Sequence, residues 1–517
     1  MGLTKTYKDG STPTVAIIGA GMSGLCAAIR LQTQLNLKTY TIFELEPELG
    51  GTWWANTYPG CACDVKSVNY EFSFEPNYNW TKTYAGQEEI LEYMRRVAQK
   101  HALHKKIQFQ TKVTHVEWHQ DLQKWVLDWT NTGTGETGQT KADVVFSGTG
   151  PLRVPVIPKQ FEAFEGPKWH TAQWNHDYDL TNKRVAVVGS GASAIQIVPS
   201  IVGKVKTLEY YQRTPSYVIP RNNNSKSGLL KFLFRYVPFL FWINKKLAYW
   251  TSEFFLYYVF SYKWRHALAR SFAMWGAWFV RYWNVRDKTL RQKLTPNYPI
   301  GCRRIVVSSD YLPALTRKNV NVHTEAITGV KGHSIMLKDG SVQEVDALVL
   351  ATGFKVQDML DQGFLIGRGG CDVSKVWGID PQTYYGLTSA ETPNFFFLLG
   401  PNSALGHNSV LYMIETQVEF GIRALSHMMR HDLSSIQVTN KACKAFGDEM
   451  EAKMKDMVWS SQCRSWYQNE KGKVTALWWG TCSEYDWRLR TYRSQDFVEV
   501  KRSASFKSQV LASASMI

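Results

Sequence analysis

Residues 14–19 form an apolar run that ends at a glycine, and a helical period follows through Leu25, Ala28, Ile29 and Leu31. A continuous apolar run marks a strand covered on both faces, and a 3–4 spacing marks a helix with one buried face. A second strand is predicted over 39–44 and ends in Glu44, which completes a parallel β-α-β unit. The same grammar returns at 184–188, with Gly189, a helix through Ile195, Ile197 and Val198, and a strand over 207–212. Between the units, 144–150 reads as a strand breaking into a glycine turn, and 346–354 repeats that pattern. The expected fold class is α/β with two such units. The first domain is expected to be discontinuous, 1–152 and 346–517, around a second domain at 153–345. Residues 222–300 interrupt the second domain as a helical, aromatic and basic insert. Its longest uncharged run, 271–280, falls far short of the ~20 residues a membrane-spanning helix needs.

Composition changes this picture in one place. The 517 residues are 44% hydrophobic and 20% charged, ordinary for a protein with a sizeable core. The net charge is +16, and the insert carries much of it. There Lys226, Lys231, Arg235, Lys245, Lys246, Lys263, Arg265, Arg270, Arg281, Arg286, Lys288, Arg291 and Lys293 face only Glu253 and Asp287. Such a balance favours phosphates or an anionic surface, but no nucleic-acid recognition module accompanies it. The eight cysteines are scattered with no Cys-x-x-Cys pair, so reduced thiols and a cytoplasmic setting are expected. The start, Met1-Gly2-Leu3-Thr4-Lys5-Thr6, satisfies the bare myristoylation pattern.

The chemistry begins at the two glycine turns. In Gly19-Ala20-Gly21-Met22-Ser23-Gly24 the first glycine allows the tight turn, Gly21 admits a pyrophosphate at the helix N-terminus, and Gly24 lets helix and strand pack closely. Glu44, twenty residues on, stands where an acid binds ribose hydroxyls. The second turn is Gly189-Ser190-Gly191-Ala192-Ser193-Ala194. No acid ends its second strand; Arg213 and Thr214 stand there instead, and an Arg suits a 2′-phosphate. That argues for NADPH over NADH.

The two sites resemble those of the class B flavoprotein monooxygenases, with FAD in the first and NADPH in the second, on two Rossmann-like domains. Phe164, Gly166, His170 and Trp174 fit the fingerprint F-x-G-x-x-x-H-x-x-x-W of the Baeyer–Villiger enzymes, although Asn175 follows where that pattern has Pro or Asp. Gly51-Thr52-Trp53 and Tyr58-Pro59-Gly60, followed by Asp64, resemble the family's second signature, and Tyr70 matches a flavin-side position. Gly301-Cys302-Arg303-Arg304 resembles the segment that carries the active-site Arg. The resemblance makes Arg304 and Asp64 the catalytic pair and places Arg303 toward the nicotinamide nucleotide. Residues 400–408 resemble a loop packed near the flavin in fungal-type members, and Ser465-Trp466-Tyr467 a loop that closes over bound NADP.

What the resemblance implies is an oxygen insertion beside a ketone carbonyl through an anionic flavin peroxide, with O2 as co-substrate and an ester or lactone as product. A fixed guanidinium at Arg304 would keep that oxygen species deprotonated, and Asp64 would orient it. No metal is expected. One competing expectation is a heteroatom oxygenase, which would not need Arg304. Another is a membrane-peripheral flavoprotein that uses the insert, because interfacial helices set Lys and Arg beside Trp and Phe. Packing of the insert over the substrate tunnel is the reading preferred at this level.

Overall fold

The computed structural model describes residues 2–255, 259–261, 266–357, 359–461 and 463–502. Along the chain the elements that matter here are β1 (Val15–Ile18), α1 (Met22–Leu35), β2 (Tyr40–Phe43), β3 (Ile107–Gln108) and β4 (Val144–Ser147). Next come β5 (Lys168–His170), β6 (Arg184–Val188), α2 (Ala192–Ile201) and β7 (Thr207–Tyr211). The insert holds α3 (Gly228–Tyr236), α4 (Pro238–Phe255) and α5 (Ala267–Asn284). The chain then forms β8 (Val320–His323), β9 (Ala347–Leu350), β10 (Phe395–Phe397) and α6 (Val410–His431).

Two parallel sheets result. The first runs β10–β4–β1–β2–β3 and the second β8–β7–β6–β9–β5. All four residues of β1 are buried, as a strand covered by helices on both faces requires. In each sheet the strand before the glycine turn lies inside, with its successor on one side and a later strand on the other. That places a crevice at its carboxyl end.

One boundary expected from the sequence is corrected. Residues 347–350 do not return to the first sheet; β9 pairs with β6 and β5 of the second. The strand that closes the first sheet is β10, which pairs with β4. Both segments carry the same local signal, a short apolar strand, and only long-range pairing separates them. After β10 the chain enters α6, which packs on α1 in the largest core cluster.

The sheets are tied together by a turn that the sequence marks with Tyr58-Pro59-Gly60. The Tyr58 hydroxyl donates to Gln196 Oε1 on α2 at 2.9 Å, and Gln196 Nε2 donates to the Ala62 carbonyl at 2.9 Å. Gly60 sits at φ +81°, and a Cβ there would meet the Gln196 carbonyl oxygen at 2.7 Å. Only glycine suits both constraints.

Candidate active site between the two sheets

The two glycine turns open on one cavity of about 1420 Å³. Its wall includes Gly19, Gly21 and Glu44 from the first unit and Gly189, Gly191, Ser193, Arg213 and Thr214 from the second. Trp53, Asp64, Tyr70, Arg303, Arg304 and Trp466 line it as well. Of the glycines of the two turns, Gly24 stays off the wall. It packs instead, because a Cβ there would lie 1.9 Å from the Gly19 carbonyl oxygen.

Helices α1 and α2 both begin at a glycine with no side-chain cap and no acid in the first turn. Their first amides are therefore free for an anion, and the helix dipole favours one there. A Cβ on Gly191 would meet nothing within 4 Å, so open space lies in front of α2. Glu44 is buried and accepts from the Ala20 amide at 2.5 Å and the Glu46 amide at 2.9 Å. Burial raises its carboxyl above the usual range, and the two amides oppose that rise. Arg213 lies exposed on the wall with no protein partner among the described residues. Arg303 nearby has a buried Nε without a partner, and its guanidinium lies 5.2 Å from the Tyr298 ring centre. Two cations on the wall, neither paired with an acid among the described residues, call for an anionic ligand. The free helix ends, the open space at Gly191 and these cations together fit two dinucleotides.

At the centre Arg304 and Asp64 form a two-pronged pair. Nε donates to Oδ2 at 2.7 Å and Nη2 to Oδ1 at 2.8 Å. Burial pushes the Asp64 carboxyl up, but the guanidinium pulls it down further, so its net shift is below the usual carboxylate range. Asp64 in turn raises Arg304 above its ordinary value against the opposing effect of burial. Both groups hold their charges at any working pH. The fork fixes the plane of the guanidinium and leaves Nη1 outside the pair. About a third of the Arg304 side chain, 31%, remains exposed. Trp53 Nε1 donates to the Tyr70 hydroxyl at 3.1 Å, with the two rings edge-on beside the pair.

The fingerprint residues hold the frame and do not reach the cavity wall. Phe164 is buried against His333, the His170 Nδ1 accepts from the Ala172 amide at 3.1 Å, and Trp174 packs edge-on to Trp169. In 400–408, Ala404, Leu405 and Asn408 line the cavity, whereas His407 turns away to lie 3.4 Å from the buried Glu253 carboxylate of α4.

Two features escaped the sequence reading. Tyr467 is fully buried beside Arg304, and its hydroxyl has no hydrogen-bond partner. Burial pushes it up to about 12, against the pull of the Arg304 charge, so it stays neutral. Its place in Ser465-Trp466-Tyr467 was visible, but its neighbour was not. The expectation of unpaired thiols is also corrected: Cys302, next to Arg303, is joined to Cys463 in a disulfide with a Cα–Cα distance of 6.4 Å. The two lie 161 residues apart, a separation at which spacing gives no signal.

Comparison with known proteins agrees with this geometry. Residues 12–364 match the family model of flavin-binding monooxygenase-like proteins. The chain belongs to that family. A Baeyer–Villiger monooxygenase of Pseudomonas aeruginosa is 39% identical over 93% of this chain and 89% of its own. One of Streptomyces coelicolor is 36% identical over 97% of this chain and 94% of its own. An FAD-binding monooxygenase of Aspergillus niger is 35% identical over 95% and 82%. Among solved structures, an oxidized steroid monooxygenase bound to NADP superposes with a TM-score of 0.81 at 26% identity, covering 95% of this chain and all of that one. A closed cyclohexanone monooxygenase gives 0.82 at 25% identity over 95% of this chain and 99% of that one. The family's two-sheet architecture thus extends over almost the whole chain.

Proposed function

We propose that the chain is an FAD-dependent, NADPH-consuming Baeyer–Villiger monooxygenase that converts a ketone to an ester or lactone. The observation that carries this reading is the Arg304–Asp64 fork on the wall between two nucleotide-type turns. When bound, FAD and NADPH supply the redox chemistry that activates dioxygen. Gly19, Gly21, Gly24 and Glu44 would hold the dinucleotide of the first site, with Trp53, Tyr70 and Asp64 near its flavin end. Gly189, Gly191 and Ser193 would take the pyrophosphate of NADPH, and Arg213 and Thr214 its 2′-phosphate. Arg303 and Trp466 would lie along the nicotinamide half.

Arg304 does the electrostatic work. Its fixed charge stabilises a negative reacting oxygen and the carbonyl oxygen as that gains charge. Because Asp64 has already set the guanidinium plane, little reorganisation is needed when charge develops. Asp64 is a positioning residue. Trp466, 39% exposed and tied through its carbonyl to Gln357 Nε2 at 2.9 Å, stands where a loop can exclude water. The proposal divides the chain into a first domain completed by β10 and a second that includes β9. It also includes peripheral membrane contact through 222–300. No helix of the described residues is long and apolar enough to cross a membrane.

The test is turnover of a ketone panel with FAD, NADPH and labelled dioxygen. One labelled atom in the ester is expected. Label found only on amine or sulfide substrates, with ketones untouched, contradicts the reading.

A further inference from the structure

The insert leaves uncovered what a cap would bury. Among the described residues most of the exposed large apolar side chains lie between Leu229 and Trp283. On α5 the positions Leu268, Phe272, Trp275, Phe279 and Trp283 recur at helical spacing and form one face. Leu268 is 86% exposed, Phe272 72% and Trp275 56%. Their rings stack on one another, Trp275 to Phe279 at 5.6 Å and Phe279 to Trp283 at 5.8 Å. Ala277 and Arg281 of the same helix are buried, so α5 is docked with its apolar stripe outward. Helix α4 does the same. Phe241 and Ala248 pack with Val68, and Lys245 reaches the buried Glu71 at 2.9 Å, while Phe239, Trp242, Trp250 and Phe254 stay exposed. None of the described residues of 222–300 lines the central cavity. The exposed rings of the insert therefore stand away from that cavity.

Cations accompany these rings. Arg235 lies 5.9 Å from the ring of Tyr236, Lys246 5.8 Å from Trp242, and Arg286 5.0 Å from Trp283. Of the thirteen Lys and Arg in 222–300, Arg281 is buried and Lys245 is paired with Glu71; the segment's two acids do not offset the cations beside these rings. Glu253 is buried with Asn408 and His407, and Asp287 caps a helix by accepting from the Leu290 amide. An apolar stripe rimmed by cations complements one partner chemistry, an anionic lipid surface in which rings enter the acyl boundary and cations meet headgroups. A second copy of the chain would set these cations against one another.

We propose that α3, α4 and α5 form an interfacial surface that docks the enzyme on an anionic bilayer, from which it draws an apolar ketone. The docking deepens the proposed function and rests on that reading only for the ketone. Helices docked in this way lie in the plane of the interface, consistent with the absence of any spanning helix among the described residues.

The test is co-sedimentation of the full FAD-loaded chain with phosphatidylcholine–phosphatidylserine vesicles and with pure phosphatidylcholine vesicles at moderate salt. Turnover of a water-soluble ketone without lipid is measured in parallel. Wild type is expected to bind the anionic vesicles and to bind the neutral ones far more weakly. A triple variant, Phe272→Ser with Trp275→Ser and Phe279→Ser, should bind at least about tenfold less. Arg235→Gln with Lys246→Gln and Arg286→Gln should lose roughly a hundredfold, at about fivefold per cation. Both variants should keep soluble-ketone turnover, because these side chains are exposed and away from the cavity. Absence of vesicle binding, equal binding to neutral vesicles, or binding unchanged in the variants overturns the proposal. So does a wild-type dimer in light scattering that the aromatic variant breaks. Vesicle binding without any ketone turnover leaves the docking surface standing and removes the ketone reading.

Discussion

The cleft and the insert treat the same kinds of residue in opposite ways. At the centre of the cleft Arg304 is committed to Asp64, and Trp53 and Tyr70 are joined in an edge-on pair. On the insert, among the described residues, Trp275, Phe279 and Trp283 stack only along their own helix, and Arg235, Lys246 and Arg286 sit beside exposed rings with no acid paired to them. A preorganised site holds charges and rings in single positions before a ligand arrives. A surface that must adapt to a fluid partner leaves them free. The cleft should therefore resist almost every change, and the insert should tolerate many.

The largest effect sharpens this contrast within the cleft itself. Gly24→Ala puts a methyl 1.9 Å from the Gly19 carbonyl oxygen, and about 3 kcal/mol or more of stability should be lost, with loss of FAD content. Gly191→Ala, where nothing lies within 4 Å, should change stability by less than about 0.5 kcal/mol and yet raise the KM for NADPH. Thermal unfolding and flavin absorbance read the first, and steady-state kinetics the second. Equal behaviour of the two would remove the packing-versus-binding distinction drawn between them.

Asp64→Asn comes next. It should cost about 2 kcal/mol at neutral pH, the value of a charge-assisted pair, and lower turnover by loosening the guanidinium. The folded Asp64 carboxyl lies below its ordinary 3.8. Its contribution is therefore fully present above that value and is lost as pH falls through the depressed one. The stability gap between wild type and variant should be constant near neutrality and close only below about pH 4. A gap that closes between pH 5 and 7 contradicts the assignment.

Arg213→Gln should raise the KM for NADPH roughly tenfold to a hundredfold and leave NADH almost unchanged, because only the former carries the 2′-phosphate. Equal effects on both cofactors would break that assignment. The smallest effect belongs to the insert: Phe272→Ser should shift stability by no more than about 0.5 kcal/mol, and a loss of several kcal/mol would show that the stripe is covered after all.

What could be read beforehand follows the same division. The glycine turns and Glu44 are legible because a turn, a helix start and a strand end are fixed by neighbours a few residues away, whereas Arg304 and Asp64 were read from the family resemblance, because an Arg pair taken alone reads as surface charge. Residues 347–350 were assigned to the wrong sheet, and the Cys302–Cys463 pair was invisible, because both depend on chain returning from more than a hundred residues away. The helical, aromatic and basic character of the insert was legible, but which face of α5 meets the protein was not. A helix with aromatics at most turns offers two apolar sides, and Ala273, Ala277 and Val280 are small enough to be the packed one.

The fixed positive charge at Arg304 is the point on which the functional account turns. Arg304→Ala, loaded with FAD and supplied with NADPH, ketone and labelled dioxygen, tests it most directly. The account predicts normal FAD content, continued NADPH oxidation and a loss of labelled ester of about a hundredfold to a thousandfold, as for removal of a charge-stabilising donor. Labelled ester formed at the wild-type rate would contradict it.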